Sequence, residues 1–489
     1  MSWRITGRIF VSALFSLSAL TTMTAQPTFR LLFDLGGSSG GLFPEPGLIV
    51  SGNQLYGVTV SGGNSSNGSV FAINPDGTGY TNLYSFTGLP SYLSGTNSDG
   101  AYPMGDLILS GTNLYGTAWI GGSSGLGTVF KVSIHGAGFT NLHSFAGAGD
   151  GAKPYAGLVL AGGTLYGTTS GGGSSGVGTV FAINTDGTGY TNLYGFSGLD
   201  PVTLTNTNGA HPRGRLVLAG AMLYGTTPNG GSSSDGTLFA IGTNGAGFTN
   251  LYNFTALDPV TQTNTDGASP YAGLLLSGNT LYGTAQLGGS SGFGTIFKVN
   301  IDGTGFTNLY AFTPSSGAAY LPINGDGAYP YGTLILSGNL FFGTAQQGGS
   351  SGYGTVFAVN TNGTEFTNLY SFTADSGPPA YTNRDGGFPM GDLVLAGSTL
   401  YGTTSAVGSS NHGTMFALNL VPSLEIVSAG NHVVVSWPAW AQNCQLQATT
   451  NLASASWSNV AGGTTNVGTG YVFTNGTGDN AAFFRLQGQ

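Results

Sequence analysis

Five aspartates recur in one frame, Asp-Gly-x-x-Pro, at Asp99, Asp150, Asp266, Asp326 and Asp385. Asn208 holds the equivalent place in a further copy, and Gly40 in a degenerate first one. Carboxylates gathered on one rim could hold Ca²⁺, which takes oxygen ligands, or a hydroxyl-rich ligand. The five aspartates are therefore the metal candidates. The same frame also has a structural reading. Asp bonds its own turn, Gly supplies a positive φ, and Pro fixes the start of the next strand. Repetition favours the turn, since equivalent copies do not each need a metal. Asp106 and Asp392, both in Met-Gly-Asp-Leu, are two further acids with the same two readings.

Ligand contact is better sought where copies differ. The residue before the repeated Gly-Thr (Gly-Ser in the first copy) is Asn67, Leu126, Val177, Asp235, Phe293, Tyr353 or His412, and Trp119 is a tryptophan in one copy alone. Trp119, Phe293, Tyr353 and His412, with Asp326 and Asp385, are the ligand-binding candidates. No catalytic residue is assigned. Glu occurs only at 45, 365 and 425, and the histidines at 135, 143, 211, 412 and 432 lack metal-ligand spacing. Asp residues of different copies could pair for glycoside cleavage, but spacing along the chain does not give their separation. Gly171–Gly176 matches G-x-G-x-x-G, yet a strand follows it instead of the helix a pyrophosphate needs. No cofactor is assigned, and Ca²⁺ is the one candidate ion.

The elements that position these residues are repeats. Leu-Tyr-Gly-Thr recurs with its aromatic at Tyr56, Tyr115, Tyr166, Tyr224, Tyr282, Phe342 and Tyr401, at spacings of 59, 51, 58, 58, 60 and 59. These residues define units one to seven. A Val-Phe-Ala-Ile-Asn pattern places Phe at 71, 130, 181, 239, 297, 357 and 416. A Phe-Thr-Asn-Leu-Tyr-Ser-Phe pattern follows it six times, ending at Phe86, Phe145, Phe196, Phe254, Phe312 and Phe372. In unit three the strand-like runs are Leu158–Leu160, Leu165–Thr169, Thr179–Asn184 and Tyr190–Phe196, with Asp186-Gly187 as a hairpin turn. Four antiparallel strands per unit is the size of a propeller blade. The repeated aromatics should fill the space between blades. The seventh unit lacks a fourth strand, and Phe29–Phe33 fits that role. The chain is therefore expected to be all-β: a seven-bladed β-propeller over residues 26–420, closed by an N-terminal strand.

Residues 1–25 read as a secretory signal, with Arg4 and Arg8 before an apolar run from Ile9 to Leu20. Removing them takes the net charge from −9 to −11 and leaves no Lys/Arg cluster, which argues against a nucleic-acid partner. No second long apolar segment follows, so no transmembrane segment is expected. Cys444 is the only cysteine and excludes a disulfide framework. Residues 421–489 alternate in short strands (Leu424–Val427, Val433–Trp437, Cys444–Ala448, Tyr471–Thr474 and Ala482–Leu486) and suggest a small β-sandwich. Trp437 reads as core, while Trp440 and Trp457 could stack on sugars.

The combined string of Leu-Tyr-Gly-Thr, Gly-Gly-Ser-Ser-Gly and Gly-Thr-Val-Phe-Ala-Ile-Asn-x-Asp-Gly-Thr-Gly-Tyr-Thr-Asn-Leu-Tyr-Ser-Phe resembles the bacterial extracellular tandem repeat called GloVer, over about residues 29–419. That resemblance implies a secreted or cell-surface protein with propeller-like repeats and no settled activity. Members often carry C-terminal anchors, and no anchor motif is visible here. Kelch-type blades are more loosely similar, and the C-terminal module resembles immunoglobulin or fibronectin III domains. The expected function is non-catalytic binding or adhesion by a secreted monomer, with extracellular polysaccharide or protein as partner. A glycan-active hydrolase or lyase at the channel mouth and a structural surface protein are the alternatives.

Overall fold

The computed structural model describes residues 27–36, 41–91, 95–316 and 321–420, and eight segments of the C-terminal region: 424–429, 432–438, 441, 444–449, 458–460, 464–466, 470–476 and 483–488. Among the described residues there is no α-helix, and the chain is all-β with a propeller-like arrangement of four-stranded antiparallel sheets. Unit three shows the plan. Val159–Ala161, Thr164–Thr169, Thr179–Asn184 and Thr191–Gly195 pair in sequence order. Gly187 turns the third strand into the fourth at a φ of 90°, and Asp186 Oδ1 accepts the Thr188 N–H at 2.9 Å. Unit six adds a short fifth strand, Ala328–Pro330, paired with Leu340–Gln347.

The core explains the repeated words. Each third-strand Phe, from Phe71 to Phe416, is fully buried. Each sits opposite the Gly of Leu-Tyr-Gly-Thr, as Phe181 does opposite Gly167. A Cβ on Gly167 would lie 2.6 Å from the Phe181 ring, so that position must be glycine. Fourth-strand aromatics lock neighbours together edge-to-face. Phe145 of unit two meets Phe181 of unit three at 5.3 Å, and Phe372 of unit six meets Phe416 of unit seven at 5.3 Å.

Unit seven takes its fourth strand from the other end of the chain. Thr28–Asp34 pairs antiparallel with Thr414–Asn419, giving a sheet of four strands. Phe29 stacks on Tyr370 at 4.2 Å, and Leu32 and Leu35 share a buried cluster with Phe71 of unit one and Met415 of unit seven. The polar contacts between units seven and one repeat those between other neighbours. Thr403 Oγ1 donates to the Pro46 carbonyl at 3.0 Å, as Thr117 Oγ1 does to Ala156 and Thr226 Oγ1 to Ala272.

The C-terminal region forms two sheets. One orders Glu425–Ala429, His432–Pro438, Gly470–Gly476 and Thr464–Asn466, and the other Ser458–Asn459, Cys444–Thr449 and Phe483–Gly488. Val435, Leu446, Phe473 and Phe484 share an apolar cluster with Leu418 and Leu420 at the end of unit seven. Trp437 is buried and stacks on Tyr471, as expected of a core aromatic. The signal segment, Gly40, Trp440 and Trp457 lie outside the described residues.

Candidate functional site

The Asp-Gly-x-x-Pro frame connects the fourth strand of one unit to the first strand of the next, and its aspartates are engaged within that connection. Asp266 accepts the Tyr252 hydroxyl at 2.8 Å, the Thr255 N–H at 2.9 Å, and the Thr255 hydroxyl. Asp99, Asp326 and Asp385 repeat this with Tyr84 and Thr87, Tyr310 and Thr313, and Tyr370 and Thr373. Asp150 bonds His143 at 3.0 Å and the Ala146 N–H at 2.9 Å. Asp99, Asp266, Asp326 and Asp385 are all buried. Each carboxylate serves one unit, and no group of three or more His, Cys, Asp or Glu among the described residues is placed to hold a metal ion. The structure therefore gives these aspartates, Asp326 and Asp385 included, to the loop and not to a shared rim.

The residue before each frame proline is left-handed. Phe43, Tyr102, Lys153, His211, Ser269, Tyr329 and Phe388 have φ between 54° and 57°. Non-glycine residues rarely adopt this conformation, and before proline it is further disfavoured. It is held by a bond between units: the Tyr329 N–H donates to the Phe293 carbonyl, Phe388 to Tyr353, and Phe43 to His412, all within 2.9 Å. The side chains meet as well. Ring centroids lie 5.6 Å apart for Phe293 and Tyr329, 5.2 Å for Tyr353 and Phe388, and 5.8 Å for His412 and Phe43. Three of the proposed ligand contacts are thus halves of pairs that clasp neighbouring units. Trp119 is half-buried beside Tyr102 and Ile120, with the Lys153 ammonium 5.7 Å from its ring. None of the four lines the cavity described next.

Immediately after the frame proline, two or three residues from every unit converge on one cavity of about 60 Å³. By that measure it holds several waters. The middle position is small or Pro throughout: Pro46, Gly105, Ala156, Gly214, Ala272, Gly332 and Gly391. Glycine is required where neighbours meet, since a Cβ on Gly105 would come within 2.5 Å of the Ala156 carbonyl. The first and third positions differ from unit to unit. The first reads Glu45, Met104, Tyr155, Arg213, Tyr271, Tyr331 and Met390; the third reads Gly47, Asp106, Gly157, Arg215, Gly273, Thr333 and Asp392.

Two groups form there. The Arg213 guanidinium lies 5.0 Å from the Tyr155 ring and 5.3 Å from that of Tyr271. Tyr271 stacks on Tyr331 at 5.4 Å, and the Tyr155 and Tyr331 hydroxyls are 3.3 Å apart. Burial raises both of these phenols above their ordinary range, so they stay protonated. The second group is acidic. Asp106 Oδ1 accepts the Gly47 N–H and Asp392 Oδ1 the Thr333 N–H, each at 2.6 Å. Burial, then the nearby Asp106 charge, push the Asp392 carboxyl up to about 8. Arg215 stands 4.0 Å from Asp392 and offsets part of that charge. Burial also raises the Glu45 carboxyl.

Asp106 and Asp392 were legible as acids near the inner strand, but the rest of this ring was not. The available signal was variation at fixed distance after a repeated proline, which matches no motif.

The family model described as the Gloeobacter/Verrucomicrobia repeat matches residues 91–263 and again 259–477. No curated protein matches the chain. Among solved structures, an oligogalacturonate lyase from Vibrio parahaemolyticus is similar at 9% identity and a TM-score of 0.47, over 81% of this chain and 97% of that one. A puromycin-hydrolyzing peptidase of Mycobacterium tuberculosis gives 10% and 0.47, over 84% and 61%. A putative 6-phosphogluconolactonase from Bacteroides uniformis gives 14% and 0.44, over 89% and 100%. At these scores the likenesses assign neither activity nor ligand.

Proposed function

We propose that this chain, which belongs to the Gloeobacter/Verrucomicrobia repeat family, closes its repeats into a seven-bladed β-propeller and binds an extracellular saccharide in the axial cavity without turning it over. Closure is supported by the pairing of Thr28–Asp34 with Thr414–Asn419, and by a Thr403–Pro46 bond of the kind that joins other neighbours. In this reading residues 1–25 direct secretion, residues 26–420 form the propeller, and residues 421–489 form an immunoglobulin- or fibronectin III-like sandwich. The protein acts outside the cell or on its surface.

One observation carries the ligand site. The cavity is where otherwise equivalent units present a mixed set of side chains to a common space: three Tyr, two Met, a Glu and an Arg at the first position. A structural plug would be filled as well by repeating one residue, as the blade core does with Phe. Tyrosine faces stack on the apolar faces of sugar rings, while Glu45, Arg213 and the phenols supply acceptors and donors for hydroxyls.

The test is binding of the intact protein to a panel of immobilised glycans, beside Tyr271→Ala. Binding by the parent and loss in the variant, with melting temperature kept, is the expected result. Undiminished binding by Tyr271→Ala would move the site elsewhere. Recovery of shortened glycans would replace the binding reading with a hydrolase or lyase, and silence across the panel would leave the structural reading.

A further inference from the structure

We infer that the cavity selects saccharides bearing a carboxylate, and that Arg213 is the residue that receives it. The inference rests on the cavity being the ligand seat and names the chemistry it prefers.

The two arginines of unit four are placed differently. Arg215 faces Asp392 at 4.0 Å. Arg213 has no ion pair among the described residues, and its Nε is buried without a hydrogen-bond partner there. What surrounds Arg213 is aromatic: the Tyr155 and Tyr271 rings, backed by Tyr331. Contact with ring faces uses the π surface of the guanidinium and none of its N–H donors. The buried Nε–H of this half-buried cation has lost water and gained no acceptor, which is costly unless a ligand supplies one. The fork of N–H groups matches a carboxylate with two parallel bonds.

The rest of the lining narrows the class. Glu45, Asp106 and Asp392 face the same cavity. Their presence disfavours a dianion such as phosphate and favours a single negative charge with donors beside it. Glu45 also has no ion pair among the described residues, and can accept a ring hydroxyl. A saccharide with a carboxylate beside hydroxyls meets both demands, and a cavity of about 60 Å³ suits the end of such a chain better than its middle.

The experiment is titration calorimetry of the full protein with glucuronate tetramer, with the uncharged glucose tetramer of the same linkage, and with inorganic phosphate. The acidic tetramer is expected to bind about tenfold or more tighter than the neutral one, as one charge-assisted pair provides. That preference should vanish in Arg213→Met, and shrink in the unaltered protein at 1 M salt, a readout independent of how the variant folds. Equal affinity for the two tetramers would overturn the inference; if Tyr271→Ala then abolishes both, the cavity remains the saccharide seat. Phosphate binding with no saccharide binding would overturn it in favour of a general oxyanion site. Binding of none of the three would overturn both the inference and the saccharide reading for these sugars.

Discussion

Asp266 and Tyr271 stand in one loop of unit five, yet they do opposite work. Asp266 is buried, and its oxygens accept bonds from Tyr252 and Thr255. Tyr271, just past the proline, lines the cavity with its ring against Arg213. The first position is Asp in five units and Asn in a sixth, whereas the second is Tyr in three, Met in two, and Glu or Arg in the others. Among near-identical units, recurrence marks what each unit needs in order to fold, and difference marks what the assembly can offer to something else.

That contrast can be broken by experiment. The largest effect should follow deletion of Thr28–Asp34, which strips the sheet edge at Thr414–Asn419 and removes Phe29 and Leu32 from buried clusters. At roughly 2 kcal/mol per large apolar side chain, plus the lost pairing, a fall in melting temperature above about 10 °C or insoluble protein is expected. Unchanged thermal stability would refute the role given to that strand. Next comes Asp266→Ala, which leaves the Thr255 N–H and two hydroxyls without their acceptor. Chemical denaturation should show a loss of about 2–4 kcal/mol, with glycan binding intact. Gly167→Ala should cost about 1–3 kcal/mol by pressing a methyl into the Phe181 ring.

A smaller effect concerns pH. The folded Asp392 carboxyl holds its proton up to about 8, well above its ordinary value, so the folded state binds more protons than the unfolded one between about pH 4 and 8. Stability should therefore decline as pH rises through that window. Asp392→Asn should flatten the decline, as read from melting temperatures across the range; an unaltered slope would assign the dependence to other groups. Smallest of all, Arg213→Met should change stability by less than about 1 kcal/mol, because the side chain gives up no ion pair within the fold. A large loss there would make the cavity ring scaffold after all and erase the contrast.

Much of the scaffold was legible because packing writes itself periodically. The Phe181 run predicted Thr179–Asn184 to the residue, and the gap after unit seven pointed to Phe29–Phe33. Boundaries elsewhere moved by a residue or two, where turns, not core contacts, set the strand ends. The C-terminal strand Thr464–Asn466 had no alternation to betray it. The cavity ring was hidden for a different reason. Distance from the axis is not a property of spacing along the chain, and Glu45, Tyr155 and Arg213 share no chemistry that aligns them. Searching for variation was sound, but Phe293, Tyr353 and His412 vary because each is fitted to one neighbour, Tyr329, Phe388 or Phe43. Variation between partners that touch each other is co-adaptation; variation around a shared cavity is not explained by one fitted neighbour.

The strand borrowed from the N-terminus also sets a schedule. Asp34 accepts the Ser409 N–H at 2.8 Å across 375 positions of chain. During synthesis, residues 28–34 emerge before the repeats and must wait, unpaired and carrying Phe29, Leu32 and Phe33, until nearly every repeat has followed. Contacts of such long range form late, because the loop between them must first be closed. Units two to six can settle with their neighbours as they appear, whereas units one and seven mature together, at the end. A chain cut short before residue 414 would thus display an orphaned apolar strand, which marks incomplete copies for aggregation or removal before they reach their destination.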